Sequence, residues 1–305
     1  MISNIPKISV LVICYKQEDV IRRAIDSLIQ QRDYIYEICI NDDKSPDRTW
    51  DIILDYQKRF PELIKPVQNN SNLGIFQNIE ATWMRPTGDL IYQLSGDDEC
   101  PDDYFKHIVN FVNENNVDYI NEAICIYGDY EQINVDGSHI KYTNNMVNKA
   151  HPLKLKIRQM LCNRSACFSK IVLERHRDVS EGRSYIVELT QDAELQMYSD
   201  YNYYIPVLGN IYYAGIGVSK HFTKEEKIEH LRVYDHFLKF CNENSINIDN
   251  CDRNYIEYMK CYRRGQIPRA LIYYIKSIDI SLGWKGLQLE RMWFVFRNRI
   301  LKKER

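Results

Sequence analysis

Residues 7–15 read KISVLVICY, a nearly continuous apolar run that is rich in β-branched side chains. Such a run is typical of a strand buried on both faces of a parallel sheet, because neither face of the strand meets water. Apolar side chains at helical spacing follow in residues 18–31, and a second strand-like run covers residues 36–42. This order predicts the first strand–helix–strand unit of an open sheet.

The same alternation continues as far as residue 94. Strand-like runs cover residues 62–68 and 88–94, and helical patterns extend from Ser45-Pro46 to about residue 60 and over residues 75–84. We expect Ser45 to cap the first of these two helices. The whole pattern predicts an α/β fold, with a mostly parallel, Rossmann-like open sheet flanked by helices.

The pattern is looser after residue 115. Two strands are predicted within residues 201–217, on either side of a turn at residues 208–210, and the chain is nearly all helical from about residue 223. We therefore expect one α/β domain over residues 1–220, made of the halves 1–115 and 116–220. Residues 221–305 form a helical C-terminal appendage in this interpretation.

Composition excludes several classes of protein. The nine cysteines show no C-x-x-C pair and no metal-type spacing with histidine, which indicates reduced core residues and not a disulfide framework. The apolar run near the N-terminus is too short for a signal peptide, and no stretch approaches the roughly 20 apolar residues of a membrane span. We expect a cytoplasmic protein with no nucleic-acid partner.

Charge is unevenly distributed along the chain. Residues 263–305 contain eleven basic and three acidic residues, a net charge of +8, so the remainder is near −10 because the whole chain is at −2. Met292, Trp293, Phe296 and Ile300 can share one face of a basic helix within this tail. Such a helix suits the surface of an anionic membrane. The alternative is that the tail packs its apolar face onto the catalytic domain.

Three polar loops follow strands of the predicted parallel sheet. They are residues 15–16, 41–44 and 95–98, and the last two carry adjacent acids, Asp42-Asp43 and Asp97-Asp98. Ligands of such sheets bind at the carboxyl ends of the strands, where these loops meet. Adjacent carboxylates repel each other unless a cation lies between them. The coincidence of both acid pairs favours a binding site, with solvated loops and a helix cap as the alternative.

Four segments of the first hundred residues resemble a known family. They are ISVLVICYKQEDVIRRAIDSLIQQ (8–31), EICINDDKSPDRTWDII (37–53), NNSNLGIFQNIE (69–80) and TGDLIYQLSGDDE (87–99). In order and spacing they resemble the nucleotide-sugar-binding half of inverting family-2 glycosyltransferases with the GT-A fold. Residues 115–220 resemble the acceptor half more loosely, through NRSACFS (163–169), TQDAEL (190–195) and YYIPVLGNIYYAGIGVS (203–219).

The resemblance implies a donor site. Asp97 matches the last acid of the family's D-x-D motif, whose first acid is replaced by Ser95, and Asp98 follows it. These carboxylates are expected to hold Mg²⁺ or Mn²⁺, which neutralises the donor diphosphate as the sugar leaves. Asp43 matches the acid that binds the nucleotide base, although Asp42 is an equal candidate for shaping that turn.

The remaining predicted donor contacts are an aromatic ring and a turn. Tyr15 stands where the family places an aromatic side chain against the base. Asn72 and Gly74 match the turn whose backbone approaches the donor, although a glycine there is also explained by a helix start or a positive φ.

Inversion requires a base that takes the proton of the acceptor hydroxyl. The family supplies it from an E-D pair at a helix start. This chain has Gln191-Asp192 there, so Asp192 is the predicted base, with Glu188 and Glu194 as rivals. Relatives also carry Arg and His after the last strand, where this chain has Ala214, Ile216 and Gly217. Lys220 or His221 is a candidate replacement.

The resemblance implies transfer of a sugar from a nucleoside-diphosphate donor, with UDP as the expected nucleotide, to a hydroxyl of a saccharide acceptor. The acceptor is expected to be lipid-linked, in the synthesis of a capsule, O-antigen or exopolysaccharide at the inner face of the cytoplasmic membrane. Two alternatives remain: a non-catalytic nucleotide-sugar-binding relative and a nucleotidyltransferase. The second would need a glycine-rich basic loop after the first strand, and residues 13–19 contain no glycine.

Overall fold

A computed structural model describes residues 5–143, 163–176, 195, 198–216, 231–243, 245 and 247–278. The chain divides into two compact units, residues 1–226 and residues 227–305. The functional boundaries predicted at residues 115 and 220 stay predictions.

The first half of the larger unit is the predicted parallel sheet. Its strands are β1 (Ile8–Cys14), β2 (Glu37–Asp42), β3 (Ile64–Gln68) and β4 (Leu90–Ser95). They lie in the order β3-β2-β1-β4, and each neighbouring pair is parallel. Each strand lies within two residues of its prediction. For β1 the reason is that a run that is apolar on both faces leaves little choice of boundary.

Helices pack on both faces of this sheet. They are α1 (Ile21–Ile29), α2 (Thr49–Arg59), α3 (Ile75–Trp83) and α4 (Tyr104–Glu114). Strand β1 shows the arrangement directly: Val10 and Val12 belong to one core cluster, whereas Leu11 and Ile13 belong to the other. Burial of each such side chain contributes about 1.5–3 kcal/mol to stability. The prediction that β1 is buried on both faces is confirmed.

The second half of the unit extends the sheet with β5 (Ile124–Ile133), β6 (His139–Tyr142), β7 (Ala166–Ser169) and β8 (Tyr201–Tyr213), and α5 (Lys170–His176) follows β7. Strand β7 is antiparallel to both β4 and β5, whereas β8 is parallel to β5. The beginning of β7 therefore lies at the same edge of the sheet as the carboxyl end of β4.

The prediction of two strands within residues 201–217 is wrong. Residues 201–213 form the single strand β8, and no turn interrupts it at Gly209. A Cβ atom on Gly209 would lie 2.7 Å from the Tyr104 ring and 2.9 Å from Cβ of Ser165. The glycine is therefore required because other side chains approach the strand closely, and not because the chain reverses there.

The prediction that Ser45 caps α2 is also wrong. Helix α2 begins at Thr49, and its first turn is joined instead to Asp47, whose Oδ1 accepts hydrogen bonds from the backbone N–H (3.1 Å) and the hydroxyl (2.6 Å) of Thr49. Ser45 points into the loop that connects β2 and α2, where it serves the candidate site.

The smaller unit is helical in its described part, as the sequence predicts. It contains α6 (Arg232–Glu243), α7 (Asn250–Arg263) and α8 (Ile267–Lys276). Asp249 caps α7 by accepting a hydrogen bond from the backbone N–H of Asp252 at 2.8 Å. None of the helices within the described ranges is both long and apolar enough to cross a membrane.

Candidate active site

The loops that follow β1, β2 and β4 are hydrogen-bonded to one another. Lys16 N–H donates to Oγ of Ser45 at 2.8 Å, and Asp43 N–H donates to the carbonyl of Cys14 at 3.0 Å. On the other side of β1, Gly96 N–H donates to the carbonyl of Ile13 at 2.9 Å. The structure thus brings both acid pairs to one edge of the sheet, as the sequence predicts.

Asp42 is completely buried and shapes the loop after β2. Its carboxylate accepts hydrogen bonds from Ser45 N–H at 3.1 Å, from Gln68 Nε2 at 2.8 Å and from the Ser45 hydroxyl. It also receives the Cys14 thiol at 3.7 Å, and burial, followed by the charge of Asp42, raises the pKa of that thiol well above its usual value. Cys14 is buried, whereas Ser45 and Gln68 are half-buried, and all three are protein groups.

Asp43 holds the turn that was predicted to approach the donor. Its carboxylate accepts hydrogen bonds from the backbone N–H groups of Leu73 at 2.8 Å and Gly74 at 2.9 Å, and from Nδ2 of Asn69 at 2.8 Å. The side chain is 2% exposed. A buried carboxylate with three donors is a rigid anchor, because hydrogen bonds to a charged acceptor are stronger than neutral ones.

Asn72 and Gly74 shape the other end of this turn. Asn72 Oδ1 accepts a hydrogen bond from Gly74 N–H at 3.1 Å, which closes a local Asx turn. Gly74 has a φ of 84°, in the region that other residues avoid, and it immediately precedes α3. Gly74 therefore has the positive φ and the place before a helix that the sequence suggests for it. Its N–H also contacts Asp43.

Tyr15 lies at the mouth of this edge and is 41% exposed. The next residue, Lys16, has a φ of 55°, and Lys44 on the neighbouring loop has a φ of 60°. Backbone strain in residues other than glycine amounts to about 1–3 kcal/mol each and is concentrated at functional sites. Asp103, Asn116 and Ser245 also have a positive φ, but only Lys16 and Lys44 among these five lie on the loops that meet at this edge.

The acid turn, residues 95–99, lies beside these loops. Asp97 is 9% exposed and Asp98 is 2% exposed. Gly96, which joins β4 to the two acids, is closely packed, because a Cβ atom there would lie 2.3 Å from Oε1 of Gln17 and 3.0 Å from Cβ of Cys14. The turn is thus pressed against β1 and the segment that leads into α1.

Asp98 has partners of its own within the protein. Its Oδ1 accepts a hydrogen bond from Tyr213 N–H at 3.2 Å, and its Oδ2 lies 3.5 Å from Nη1 of Arg164. Asp98 therefore ties the acid turn to the end of β8 and to the turn before β7. Its predicted role as a second metal ligand stays a prediction, as does the role of Asp97.

Two arginines flank the acid turn. Arg23, on α1, donates from Nη2 to the carbonyl of Asp97, and its guanidinium lies 3.5 Å from the centroid of the Tyr213 ring. Tyr213 in turn donates its hydroxyl to Oε2 of Glu99 at 2.9 Å. Arg164 lies 3.9 Å from the centroid of the Tyr212 ring. Stacking of this kind fixes the plane of a guanidinium.

The sequence-based predictions missed both arginines. Arg164 lies in NRSACFS, but it is the antiparallel direction of β7 that brings it to the acid turn. Several predicted residues lie outside the described part of the chain, namely the base Asp192, its neighbour Gln191, the rivals Glu188 and Glu194, and Gly217, Lys220 and His221. The predicted apolar face of the tail, Met292, Trp293, Phe296 and Ile300, also lies outside it.

The residues of this edge can hold a divalent cation. Asp97 and Asp98 offer carboxylate oxygens, which are the ligands that Mg²⁺ and Mn²⁺ prefer. The described residues contain no cluster of three or more His, Cys, Asp or Glu side chains that could hold a metal ion. A cation at this edge would be bound by one or two carboxylates together with water and substrate phosphates.

Comparison with known proteins identifies the family of this chain. The family model described as Glycosyl transferase family 2 matches residues 9–173, more than half of the chain. The putative glycosyltransferase EpsE of Bacillus subtilis is 31% identical over 93 residues, which are 30% of this chain and 34% of that protein. The poly(ribitol-phosphate) beta-glucosyltransferase of Bacillus spizizenii is 26% identical over 209 residues, 65% of this chain and 32% of that protein. The chain therefore matches only about a third of the length of these relatives.

Solved structures support the fold. The structure of S. aureus TarS 1-349 in complex with UDP-GlcNAc superposes with a TM-score of 0.64, and the match covers 89% of this chain and 80% of that one at 15% sequence identity. The predicted fold class, GT-A with a mostly parallel open sheet flanked by helices, is confirmed. Because the family model matches more than half of the chain, this chain belongs to glycosyl transferase family 2.

Proposed function

We propose that this protein is a glycosyltransferase that moves a sugar from a nucleoside-diphosphate donor, a UDP-sugar, to a hydroxyl group of a saccharide acceptor. The observation that carries the proposal is the carboxyl edge of the sheet, where the loop of Asp43 and the turn of Asp97 and Asp98 lie on either side of β1. Family membership and the name of the Bacillus spizizenii relative support it. The UDP-GlcNAc bound to TarS supports the choice of nucleotide.

The nucleotide half of the donor is assigned to three parts of this edge. The exposed ring of Tyr15 stacks on the base, and Asp43 accepts a hydrogen bond from it while keeping turn 69–74 in place. The backbone of Asn72 and Gly74 then lies against the donor. This division is supported by the three donors that already converge on Asp43, because they fix its carboxylate before any ligand arrives.

The diphosphate is assigned to the acid turn. Asp97, with Asp98 as the second candidate, would hold Mg²⁺ or Mn²⁺ there. When bound, such a cation neutralises the charge that develops on the departing diphosphate. Asp97 is favoured because it matches the last acid of the family's D-x-D motif.

Transfer with inversion requires one displacement. A bond forms between the acceptor oxygen and the anomeric carbon while the bond from that carbon to the diphosphate oxygen breaks. The acceptor proton passes to a carboxylate, which we assign to Asp192. A positioned base of this kind contributes about 10²–10⁴-fold to the rate.

We assign the reaction to the synthesis of a surface polysaccharide on a lipid-linked acceptor at the inner face of the cytoplasmic membrane. Helix α8 supports this location. It exposes a stripe of aliphatic side chains that are between 43% and 60% exposed, namely Ile267, Leu271, Ile272 and Ile275. Arg269 and Lys276 are exposed beside the stripe, and residues 263–278 contain no acidic side chain. Apolar and basic surfaces side by side fit an anionic lipid surface.

The catalytic proposal is tested by incubating the full chain with UDP-, GDP- and TDP-sugars and Mn²⁺, and by measuring release of the nucleoside diphosphate with and without saccharide acceptors. We expect metal-dependent release from a UDP-sugar. Binding without release under any condition would favour the non-catalytic relative. In a parallel incubation with a nucleoside triphosphate and a sugar phosphate, release of pyrophosphate would favour the nucleotidyltransferase.

The membrane proposal is tested by sedimentation with vesicles that contain anionic lipid. We expect the full chain to sediment at low salt and to be released at high salt. Leu271→Glu should abolish sedimentation, whereas Val135→Glu should not, because Val135 is 84% exposed on the larger unit and is not part of the stripe. Protein that stays in the supernatant at every salt concentration would contradict the membrane proposal and favour packing of the tail on the protein itself.

A further inference from the structure

Arg164 reaches the acid turn from a distant part of the sequence. It lies in the short turn Asn163–Ser165, just before β7, and β7 is antiparallel to β4. Its guanidinium lies 3.5 Å from Oδ2 of Asp98 and is stacked at 3.9 Å on the ring of Tyr212. The side chain is 16% exposed and that of Asp98 is 3% exposed. A largely buried cation is therefore held at the edge where we place the donor diphosphate.

The chemistry of this guanidinium suits a diphosphate. It presents five N–H donors in a planar fork, and such forks match phosphate oxygens in pairs. Arg23, the other arginine near the turn, donates to the backbone carbonyl of Asp97 and lies against Tyr213, so its contacts support the shape of the turn. Arg164 instead contacts a carboxylate side chain, and a ligand can compete for that contact.

We propose that Arg164 is a diphosphate-binding residue of the donor site, which neutralises Asp98 in the free protein and contacts the diphosphate when a nucleotide binds. The inference rests on the proposed function and deepens it. It also accounts for Ala214, Ile216 and Gly217, which stand where relatives carry Arg and His. In this proposal Arg164, in the turn before β7, supplies the positive charge near the diphosphate.

The proposal predicts opposite effects on two ligands. Removing the guanidinium leaves Asp98 more negative, so Mn²⁺ alone should bind with unchanged or higher affinity to Arg164→Gln, because a competing positive charge is gone. The same variant should bind UDP about tenfold or more weakly in saturating Mn²⁺, because a charge-assisted contact is lost. Uridine, which has no phosphate, should bind as it does to the wild type.

The experiment is a set of calorimetric titrations of the full chain with Mn²⁺, uridine and UDP. Arg164→Lys should recover part of the UDP affinity, since it restores the charge without the fork. Arg175→Gln is the matched control: Arg175 forms an ion pair with Asp200 at 2.8 Å, with both side chains more than 40% exposed. This control should leave all three affinities unchanged.

The outcomes separate the inference from the function on which it rests. If the wild type binds UDP and Arg164→Gln binds it equally well, Arg164 is not a diphosphate ligand, although the proposed function stands. If the variant loses affinity for Mn²⁺, uridine and UDP together, Arg164 is a structural residue and the inference is wrong. If the wild type binds no nucleoside diphosphate in the presence of Mn²⁺, both the inference and the proposed function are wrong.

Discussion

Replacement of Asp43 by asparagine tests whether its carboxylate holds the donor turn. The carboxylate has two backbone donors and one side-chain donor, all at 2.8–2.9 Å, in a position that is 2% exposed. Asparagine keeps an oxygen for Leu73 N–H and Asn69, which share Oδ1, but it places an amide NH₂ group opposite the N–H of Gly74. One charge-assisted bond is lost and two others become neutral.

The expected loss of stability follows from these contacts. A hydrogen bond to a charged group contributes about 1.5–3 kcal/mol and a neutral one about 0.5–1.5 kcal/mol. After some local rearrangement we expect Asp43→Asn to lower the free energy of unfolding by about 2–4 kcal/mol, which urea denaturation measures. Because turn 69–74 loses its anchor, uridine and UDP should both bind at least about tenfold more weakly, a difference of about 1.4 kcal/mol or more.

Glu37 provides a matched control at the other end of the strand that leads to Asp43. Its carboxylate is 7% exposed and accepts three hydrogen bonds, from the Ser9 hydroxyl at 2.7 Å and from the N–H and hydroxyl of Thr87 at 2.7 and 2.9 Å. It lies at the beginning of β2, at the opposite edge of the sheet from Asp43. Glu37→Gln should lower stability by about 1–3 kcal/mol and leave the affinity for uridine within about twofold of the wild type.

Two results would refute the reasoning about Asp43. If Asp43→Asn unfolds at the wild-type urea concentration, the carboxylate does not anchor the turn. If Glu37→Gln weakens uridine binding as much as Asp43→Asn does, the loss of binding reflects general destabilisation and not the site.

Three further predictions concern other parts of the chain. Asp192→Asn should leave UDP affinity unchanged and reduce turnover about 10²–10⁴-fold in a transfer assay; wild-type turnover would place the base elsewhere. Gly209→Ala should lower the free energy of unfolding, measured in urea, by about 1–3 kcal/mol, because the added methyl group meets the Tyr104 ring. An unchanged urea midpoint would show that the Tyr104 ring can move away without cost. Burial raises the pKa of Cys100 to about 12. An unfolded thiol ionises at about pH 8.5. The contribution of Cys100 should therefore make the free energy of unfolding fall as the pH rises above that value, because the unfolded state loses a proton that the folded state keeps. Cys100→Ala should make this fall less steep.

The parallel sheet was predictable largely because its central strands β1, β2 and β4 are mostly buried. A run such as residues 7–15 has no polar face to present to water, and this fixes the strand with little help from the rest of the chain. Glycine and serine were harder to interpret, since each serves several purposes. Gly209 looked like a turn residue but allows the Tyr104 ring to approach, and Ser45 looked like a helix cap but binds Lys16 and Asp42.

The acid pairs of the site were predictable for a similar reason. Loops that follow parallel strands must meet at one edge, so Asp43 and Asp97 could be placed together from the order of strands alone. Arg164 could not be, because its position depends on the antiparallel direction of β7, which the loose pattern after residue 115 does not reveal. The contact between Arg164 and Asp98 spans 66 residues of sequence.

The most direct test of the central claim is a calorimetric titration of the wild-type chain with UDP, once in Mn²⁺ and once in EDTA, repeated with Asp97→Asn. We predict that Mn²⁺ tightens UDP binding by about tenfold or more, the effect of a cation that bridges the acid turn and the diphosphate, and that the variant loses this dependence. Equal UDP affinity in Mn²⁺ and in EDTA would contradict the assignment of the acid turn as the metal and diphosphate site.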